Sequence, residues 1–313
     1  MLSIIIPSRN EVYLKKTIDS VLAAATGEIE VLAICDGYWP DPPIDDDPRV
    51  RILHNSKPLG QRQGINDAVG ASRGEFILKL DAHCLPDEGF DVKLAADYQD
   101  DWTVIPRMYN LQVFDWKCKN CGWQKHAHNV PPKCSKCEGY DFEKVMVWKP
   151  KLHKLTDYMY ISSPNADKPF RAQYYNRRQP KKKELIDDVM LGMGPFFFMS
   201  KKRFWDLGGM DERHGSWGQM GIEVGLKAWT SGGSHKVNKK TWIAHWFRGG
   251  GGPGAPYSMS GTAQDRARTY SQDLWLNNKW EGQVKSLQWV IEKFNPPGWE
   301  EWTKANPFKG FNR

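Results

Sequence analysis

The sequence contains no run of apolar residues long enough to cross a membrane. Its first apolar run, LSIIIP, is too short for the apolar region of a signal peptide, and no basic segment precedes it. Internal repeats are absent as well. We therefore expect a soluble protein with no membrane partner, whose 313 residues suffice for one large α/β domain or two smaller ones.

Cysteine is scarce, and four of the six cysteines form two close pairs. Cys118 and Cys121 make the first CxxC pair, and Cys134 and Cys137 make the second after twelve intervening residues. Such paired knuckles are typical of a zinc ribbon, in which four thiolates close a tetrahedral site and leave no open position for catalysis. The alternative is two disulfides, which need an oxidising compartment that nothing else in the sequence suggests. The spacing therefore predicts a structural Zn²⁺ site.

Positive charge exceeds negative charge by seven, but five basic side chains are clustered. Arg177, Arg178 and the lysines at 181–183 surround one proline. Such a run is either a solvated loop or a surface that contacts a polyanion, and the sequence leaves both interpretations open.

Strand-like and helix-like segments alternate in the first third of the chain. The apolar patterns predict strands at 2–7, 30–35, 50–54 and 75–80, and helices at 11–25 and 60–71. This alternation predicts right-handed βαβ units and a parallel sheet. Ligands bind beyond the carboxyl ends of such strands, which is where Asp36 and Asp81 stand. The two carboxylates therefore indicate a binding site at one edge of the sheet.

Three segments carry distinctive motifs. The first joins the opening IIIPSRNE to LGQRQGINDAVGASRGEFILKLDAHC at 59–84, the second is GGMDERHGSWGQMGIE at 208–223, and the third is IAHWFR at 243–248. Together they resemble the catalytic region of the polypeptide N-acetylgalactosaminyltransferases and their relatives among the family 2 glycosyltransferases. The resemblance spans residues 1–106 and 190–260, and it includes neither the cysteine insertion nor a lectin-like module.

This resemblance implies an α/β fold of GT-A type, which is Rossmann-like with a mostly parallel central sheet and binds a UDP-sugar. The zinc ribbon is expected as an insertion into it. We divide the chain into a nucleotide-sugar half, the ribbon, an acceptor half with a glycine-rich lid, and a helical, tryptophan-rich extension. These parts are 1–111, 112–145, 146–265 and 266–313.

The resemblance also implies that Asp81, His83 and His245 hold a divalent cation. A nucleoside diphosphate leaving group concentrates negative charge, and a cation beside it eases its departure. A mixed set of oxygen and nitrogen ligands suits Mn²⁺, or Mg²⁺, better than Ca²⁺. On its own an Asp-x-His pair is a weak signal, since a histidine at a strand end is more often hydrogen-bonded structure.

Further residues are implied to contact the donor. Asp36 is expected to accept hydrogen bonds from the nucleoside, and Arg62 to face the base or the diphosphate, although a surface charge on a helix is the alternative for Arg62. A GGGGPG segment at 249–254 suits a hinged lid that excludes water, or else a disordered loop. The other implied donor contacts are Pro7, Arg9, Glu11, Arg248 and Tyr257.

On the acceptor side the resemblance points to Trp217 and Glu223, with Arg248 beside the reaction. Met220 replaces the earlier acidic position of the family motif, which puts sugar and acceptor choice in doubt more than catalysis. The family retains anomeric configuration, and the departing phosphate can take the acceptor proton. Asp211 and Glu212 are weaker candidates, because a solvated turn explains them as well.

The acceptor is the least determined part of the prediction. The resemblance alone implies protein Ser or Thr hydroxyls, with glycans as another option. A zinc ribbon, a basic run and a positive net charge favour a polyanion instead, and DNA bearing a hydroxymethylated pyrimidine offers the required hydroxyl. This reading places the protein in the cytoplasm of a bacterial or phage-infected cell. The competing class is a nucleic-acid-binding module on an inactive transferase fold, and the intact metal and arginine positions argue against it.

Overall fold

A sheet of eleven strands forms the centre of the molecule. The computed structural model describes residues 1–127, 129–175, 183–215, 217–248 and 261–306. The strands are β1 Leu2–Ser8, β2 Ile29–Asp36, β3 Val50–Asn55, β4 Phe76–Leu80, β5 Cys84–Pro86, β6 Trp102–Cys118, β7 Gln124–Lys125, β8 Phe142–Thr156, β9 Met159–Ile161, β10 Ala172–Tyr174, β11 Ile186–Asp188, β12 Phe196–Ser200 and β13 Ser234–His245. Strands β9 and β10 are not part of the large sheet; they form a separate two-stranded sheet.

Helices cover both faces of the large sheet. They are α1 Leu14–Ala24, α2 Gln61–Ala71, α3 Phe90–Ala95, α4 Lys201–Asp206, a 3₁₀ turn Glu212–His214, α5 Met220–Thr230, α6 Gly261–Leu276, α7 Leu287–Phe294 and α8 Glu300–Ala305. Side chains alternate across β1, so Ile4 and Ile6 pack with α1 while Ile5 packs with α2. Among the described residues, no helix is both long and apolar enough to span a bilayer.

The sheet is mixed rather than mostly parallel. Its main order is β11-β13-β6-β12-β4-β1-β2-β3. The four strands β3, β2, β1 and β4 run parallel, as the alternating pattern predicts. The direction reverses at β12, which is antiparallel to both β4 and β6, and β13 then runs parallel to β6. The expectation of a mostly parallel sheet therefore holds for the N-terminal half alone.

The cysteine insertion is the end of a long hairpin rather than a separately linked unit. Strand β6 has 17 residues, of which the first part pairs with β13 inside the sheet and the second part pairs with β8 outside it. The strand crosses the expected boundary at 111/112 without a break, and α6 likewise crosses the boundary at 265/266. We call residues 111–156, comprising the outer part of β6 with β7, β8 and their turns, the arm.

The C-terminal helices belong to the main core. Trp275 of α6, Val290 of α7 and Trp299 are almost completely buried, and they join the same hydrophobic cluster as α2 and α5. The tryptophan-rich extension is thus one hydrophobic unit with the nucleotide half of the sheet. Burying large aromatic rings here contributes strongly to the stability of the fold.

Candidate metal and donor site

Three side chains with metal-binding atoms meet where β4 ends. Asp81 and His83 follow this strand directly, and the chain then enters β5. Strand β5 pairs antiparallel with the end of β13, which places His245 opposite Cys84. This pairing brings a residue from the second half of the chain beside two from the first half.

The donor atoms of Asp81, His83 and His245 all lie within 4.8 Å of one another. His245 Nε2 lies 3.3 Å from Asp81 Oδ2, and the ring centroids of the two histidines are 4.8 Å apart. Ligands of one small divalent cation each lie about 2.0–2.2 Å from it, so side chains this close can share an ion after small adjustments. The structure thus assembles the predicted ligand set.

His245 is buried, and neither ring nitrogen has a hydrogen-bond partner among the described residues. Burial lowers the pKa of this histidine to about 4, with the nearby His83 adding to the effect and Asp81 opposing it. The ring is therefore neutral at physiological pH, which is the form that binds metal. Two unsatisfied buried nitrogens are costly unless an ion or water meets them, so the residues present fit a cation.

Glu11 supports His83 from behind. Its Oε2 lies 3.0 Å from His83 Nδ1, and Arg248 donates to the same carboxylate. Burial opposes ionisation of Glu11, but His83 and Arg248 outweigh it and lower the pKa of the carboxyl. A carboxylate on Nδ1 leaves Nε2 as the metal-binding atom. Glu11 was expected to contact the donor; its carboxylate binds His83 and Arg248, and a donor contact stays a prediction.

Lys79 is a member of the site that the sequence did not single out. Its side chain is 1 % exposed, and its Nζ donates to Asp81 and to the carbonyl oxygens of Gly194 and Pro195, at 2.9 and 3.2 Å. Burial favours the protonated form of Asp81, but Lys79 and the two histidines hold its pKa well below the usual range. The available signal was a lysine within the apolar run EFILKL, where a charge needs a partner.

Asp36 ends β2 on the same sheet edge, and β1 lies between it and β4. Its carboxylate accepts hydrogen bonds from the backbone N–H groups of Leu59 and Gly60, at 2.7 and 3.0 Å, and from Asn55 at 3.2 Å. These contacts fix the loop that leads into α2. A carboxylate offers about four acceptor positions, so a nucleoside donor would compete for the remaining one.

Arg62 and Glu223, which were expected at the donor and acceptor sides, lie in a buried charge cluster. Their side chains are 1 % and 0 % exposed, and they form an ion pair of 2.9 Å. Arg62 also donates to the carbonyl oxygens of Gly215 and Gly218, at 2.9 and 2.7 Å. Every polar end of Arg62 is engaged in holding α2 against the loop before α5. The expected contacts of Arg62 with the donor and of Glu223 with the acceptor stay predictions.

The acidic side of this cluster is satisfied equally well. Glu223 accepts hydrogen bonds from Lys227 at 3.0 Å and from the backbone N–H of Asp211 at 2.6 Å. Asp211 in turn pairs with Arg213 and accepts a hydrogen bond from Tyr270 of α6 at 2.7 Å. Asp211 thus links the 3₁₀ turn to α6, while the side chain of Glu212 reaches Asn66 at 3.0 Å.

The remaining predicted residues occupy varied positions. Trp217 is 39 % exposed in the loop before α5, and Met220 is buried at the start of that helix. Pro7 and Arg9 lie at the end of β1 and just after it, and the Arg248 guanidinium stacks 4.9 Å from the Trp246 ring. Tyr257, the glycine-rich segment 249–254 and the basic residues 177, 178, 181 and 182 lie outside the described residues.

The four knuckle cysteines converge at the tip of the arm. Their sulfur atoms lie within 4.8 Å of one another, and both Cys118–Cys137 and Cys121–Cys134 are 3.6 Å apart. A tetrahedron with metal–sulfur bonds of about 2.3 Å has edges of about 3.8 Å, whereas a disulfide bond measures about 2.05 Å. The arrangement therefore fits one four-coordinate metal ion and does not fit two disulfides.

Comparisons with known proteins agree with this geometry. Residues 3–207 match the sequence profile of glycosyl transferase family 2. Polypeptide N-acetylgalactosaminyltransferase 12 of Mus musculus is 22 % identical over 231 residues, and probable N-acetylgalactosaminyltransferase 9 of Caenorhabditis elegans is 27 % identical over 235 residues. These alignments cover 74 % and 72 % of the chain, but only 34 % and 33 % of the relatives, so the chain spans about a third of their length.

Two solved structures share the fold. A crystal structure of GalNAc-T7 with UDP, GalNAc and Mn²⁺ superposes with a TM-score of 0.62 at 15 % identity, covering 98 % of this chain and 58 % of that one. Residues 1–349 of S. aureus TarS in complex with UDP-GlcNAc superpose with a TM-score of 0.51 at 13 % identity, covering 98 % and 74 %. The expected GT-A fold is thus confirmed, with a mixed central sheet.

Proposed function

Because the chain belongs to glycosyl transferase family 2, we propose that it moves a sugar from a UDP-sugar to a hydroxyl of a macromolecular acceptor, assisted by a divalent cation. One observation carries this proposal. Asp81, His83 and His245 converge from two distant parts of the chain, and both nitrogens of the buried His245 lack a hydrogen-bond partner among the described residues. A cation shared with Asp81 would satisfy the Nε2 of His245, which lies 3.3 Å from Asp81 Oδ2.

The comparisons support the identity of the donor and of the ion. GalNAc-T7 was crystallised with UDP and Mn²⁺, and TarS with UDP-GlcNAc. In this chain the ligands are one carboxylate and two imidazoles, a set that suits Mn²⁺ or Mg²⁺. When bound, such an ion neutralises the charge that builds up on the departing diphosphate.

The protein's own residues prepare the site for that reaction. Glu11 fixes the ring of His83, and Lys79 keeps Asp81 ionised. Arg248 pairs with Glu11 beside His83 and would supply a fixed positive charge to the diphosphate. In the transfer, the bond from the anomeric carbon to the phosphate oxygen breaks, the acceptor oxygen bonds to that carbon, and the acceptor proton passes to the departing phosphate. Retention of configuration follows from this front-face course.

We also propose that the arm holds a second, separate metal ion. Four thiolates in tetrahedral arrangement suit Zn²⁺, and a closed set of four leaves no position for substrate. We therefore assign it a structural role.

DNA bearing a hydroxymethylated pyrimidine is the acceptor that we favour. Its phosphates match the positive net charge of the chain, and its hydroxymethyl group supplies the nucleophile. A base flipped out of the helix could reach the metal site. Protein Ser or Thr hydroxyls and glycans are the alternatives, and a cytoplasmic location in a bacterial or phage-infected cell goes with the DNA acceptor.

The test measures UDP release and product mass with a panel of UDP-sugars and with DNA, peptide and glycan acceptors. Mn²⁺ should restore the turnover that EDTA removes, and Asp81→Asn should lower it by at least about a hundredfold, because a lost ligand weakens the ion that stabilises the leaving group. Asp206→Asn, in a surface ion pair on α4, is the matched control and should retain full turnover. Turnover that ignores EDTA would refute the metal-dependent reaction, and modification of a peptide instead of DNA would replace the acceptor.

A further inference from the structure

The arm carries a large excess of positive over negative charge. Residues 111–156 contain nine lysines, no arginine and four acidic residues, which gives a net charge of +5 out of +7 for the whole chain. The fold does not require this charge, because the hairpin is held by its strand pairing and by the cysteine cluster at its tip. A field of one sign over an extended surface attracts a partner of the opposite sign.

Three of the nine lysines are paired with carboxylates of the arm itself. These pairs are Lys117–Glu143, Lys119–Asp141 and Lys133–Glu138, at 3.5, 3.0 and 3.0 Å. The other six form no ion pair with any described residue of the protein, and they are Lys125, Lys136, Lys144, Lys149, Lys151 and Lys154. Their charges are therefore available to a partner.

Two of these lysines flank an aromatic ring on one face of the arm. Trp116 of β6 stands opposite Lys125 of β7 on one side and opposite Lys144 of β8 on the other. Directly opposed residues of antiparallel strands project to the same face of a sheet. The Lys144 ammonium lies 5.3 Å from the Trp116 ring centroid and 4.7 Å from that of Phe114. The partly exposed Trp116 ring thus lies between two lysines, and the buried Phe114 ring lies beneath one of them.

The base of the arm is fixed beside the metal site. The buried rings of Phe114 and Trp246 lie 6.3 Å apart, and Trp246 lies 6.2 Å from the ring of His83. Phe114 and Trp246 belong to one hydrophobic cluster that joins the base of the arm to the end of β13. A ligand bound along the lysines of the arm would therefore end close to the metal site.

We propose that this face of the arm binds the phosphate backbone of a nucleic acid and guides it to the metal site. Lysines on both sides of the partly exposed Trp116 ring suit nucleic acid better than an anionic membrane or an acidic protein, because phosphates bind the ammonium groups while a base stacks on the ring. The inference rests on the proposed function for its end point, since the bound strand must offer a hydroxyl to the donor sugar. It assigns the arm, rather than the basic run near 180, as the principal acceptor contact.

Binding and donor chemistry are measured separately on the full-length protein loaded with zinc. The triple variant Lys125→Gln, Lys144→Gln and Lys149→Gln is compared with wild type by the anisotropy of labelled duplex and single-stranded DNA in a salt titration. We expect DNA affinity to fall roughly tenfold to a hundredfold at about 0.1 M salt, with the slope of log K against log salt smaller by about 0.7–0.9 per lost phosphate contact. Mn²⁺-dependent UDP binding should be unchanged, because these lysines are outside the donor site.

The control is Lys202→Gln, Lys279→Gln and Lys304→Gln, which removes the same charge from exposed positions on or near α4, α6 and α8. It should bind DNA nearly as wild type does, and zinc content should match in all three proteins. Equal loss of affinity in the control, or wild-type affinity in the arm variant, would overturn the inference. Binding of anionic vesicles or acidic polypeptides but not of DNA would overturn it too. If arm-dependent DNA binding is found while no UDP-sugar is turned over, the arm inference stands and the proposed function fails.

Discussion

Glu11 links two side chains of the proposed donor site. Its carboxylate is almost completely buried, and it joins His83 to Arg248. The positions of the proposed metal ligand His83 and of the Arg248 guanidinium therefore depend on one negative charge. Carboxylates that orient a metal-binding histidine in this way raise its basicity and fix its ring.

We predict that Glu11→Gln weakens Mn²⁺ binding by about 10–100-fold, because the amide holds the ring of His83 less firmly and lacks the charge. The measurement is the Mn²⁺ concentration needed for half-maximal UDP release. Turnover at saturating Mn²⁺ should recover in large part, which a direct ligand variant would not allow. Glu28→Gln, an exposed position before β2, serves as the control. An unchanged Mn²⁺ requirement would show that Glu11 does not orient the ligand.

Glu223 is expected to control stability rather than acceptor recognition. Removing one partner from a buried ion pair leaves an uncompensated charge, which costs about 3–5 kcal/mol. We therefore expect Glu223→Gln to lower the free energy of unfolding by about that amount in urea titrations, because Arg62 and Lys227 would both lose their carboxylate. Glu292→Gln on the exposed side of α7 should change it little. A folded and fully stable Glu223→Gln protein with impaired acceptor binding would restore the direct role.

The same cluster predicts how stability changes with pH. Burial would raise the pKa of Glu223, but Lys227, Arg62 and His214 together lower it to about 2. A glutamate in the unfolded chain has a pKa of about 4.3, so its contribution is complete above that pH and is lost as pH falls towards 2. The stability gap between wild type and Glu223→Gln should therefore narrow between these pH values in urea titrations. A gap that stays constant would mean that Glu223 is not ionised in the folded protein.

At the scale of elements, the arm depends on its tip. We predict that Cys118→Ser releases the bound metal and disorders the turns of the arm, because a closed thiolate site contributes folding energy outright. Metal analysis should find about one zinc ion per wild-type chain and none per variant, while Mn²⁺-dependent UDP binding persists. Ser135→Ala, between the two cysteines of the second knuckle, should retain the zinc. Disulfides in freshly purified protein would contradict the site.

Local sequence patterns predicted the elements that bury one continuous apolar run. Strand β2 is buried along its whole length, so its continuous apolar run predicts a strand clearly. Strands β1 and β4 are also mostly buried and were predicted in the same way. The pattern failed for β6 and β8. Their outer parts are polar, face solvent and are held by pairing with each other, so no apolar periodicity marks them. The cysteine spacing nevertheless located the tip of the arm correctly.

At the scale of the whole molecule, contacts between distant residues limited the prediction. The family resemblance selected Asp81, His83 and His245, and the fold brings them together. It also selected Arg62 and Glu223, which are 161 residues apart and bind each other, a pairing that no local pattern reveals. A sequence motif thus identifies important positions. The contacts and the burial of each side chain in the fold indicate whether it is placed for chemistry or stabilises the structure.

The length of β6 predicts the shortest nucleic acid that would contact both the tip of the arm and the proposed metal site. Asn110 of this strand pairs with His245 beside the metal site, and Cys118 stands at the tip of the arm. Eight residues of extended strand span about 27 Å, which is the rise of about eight base pairs at 3.4 Å each. If the arm guides the acceptor, an oligonucleotide shorter than this length would contact either the tip of the arm or the proposed metal site, but not both. Modification efficiency plotted against duplex length should therefore rise steeply near that size and then level off.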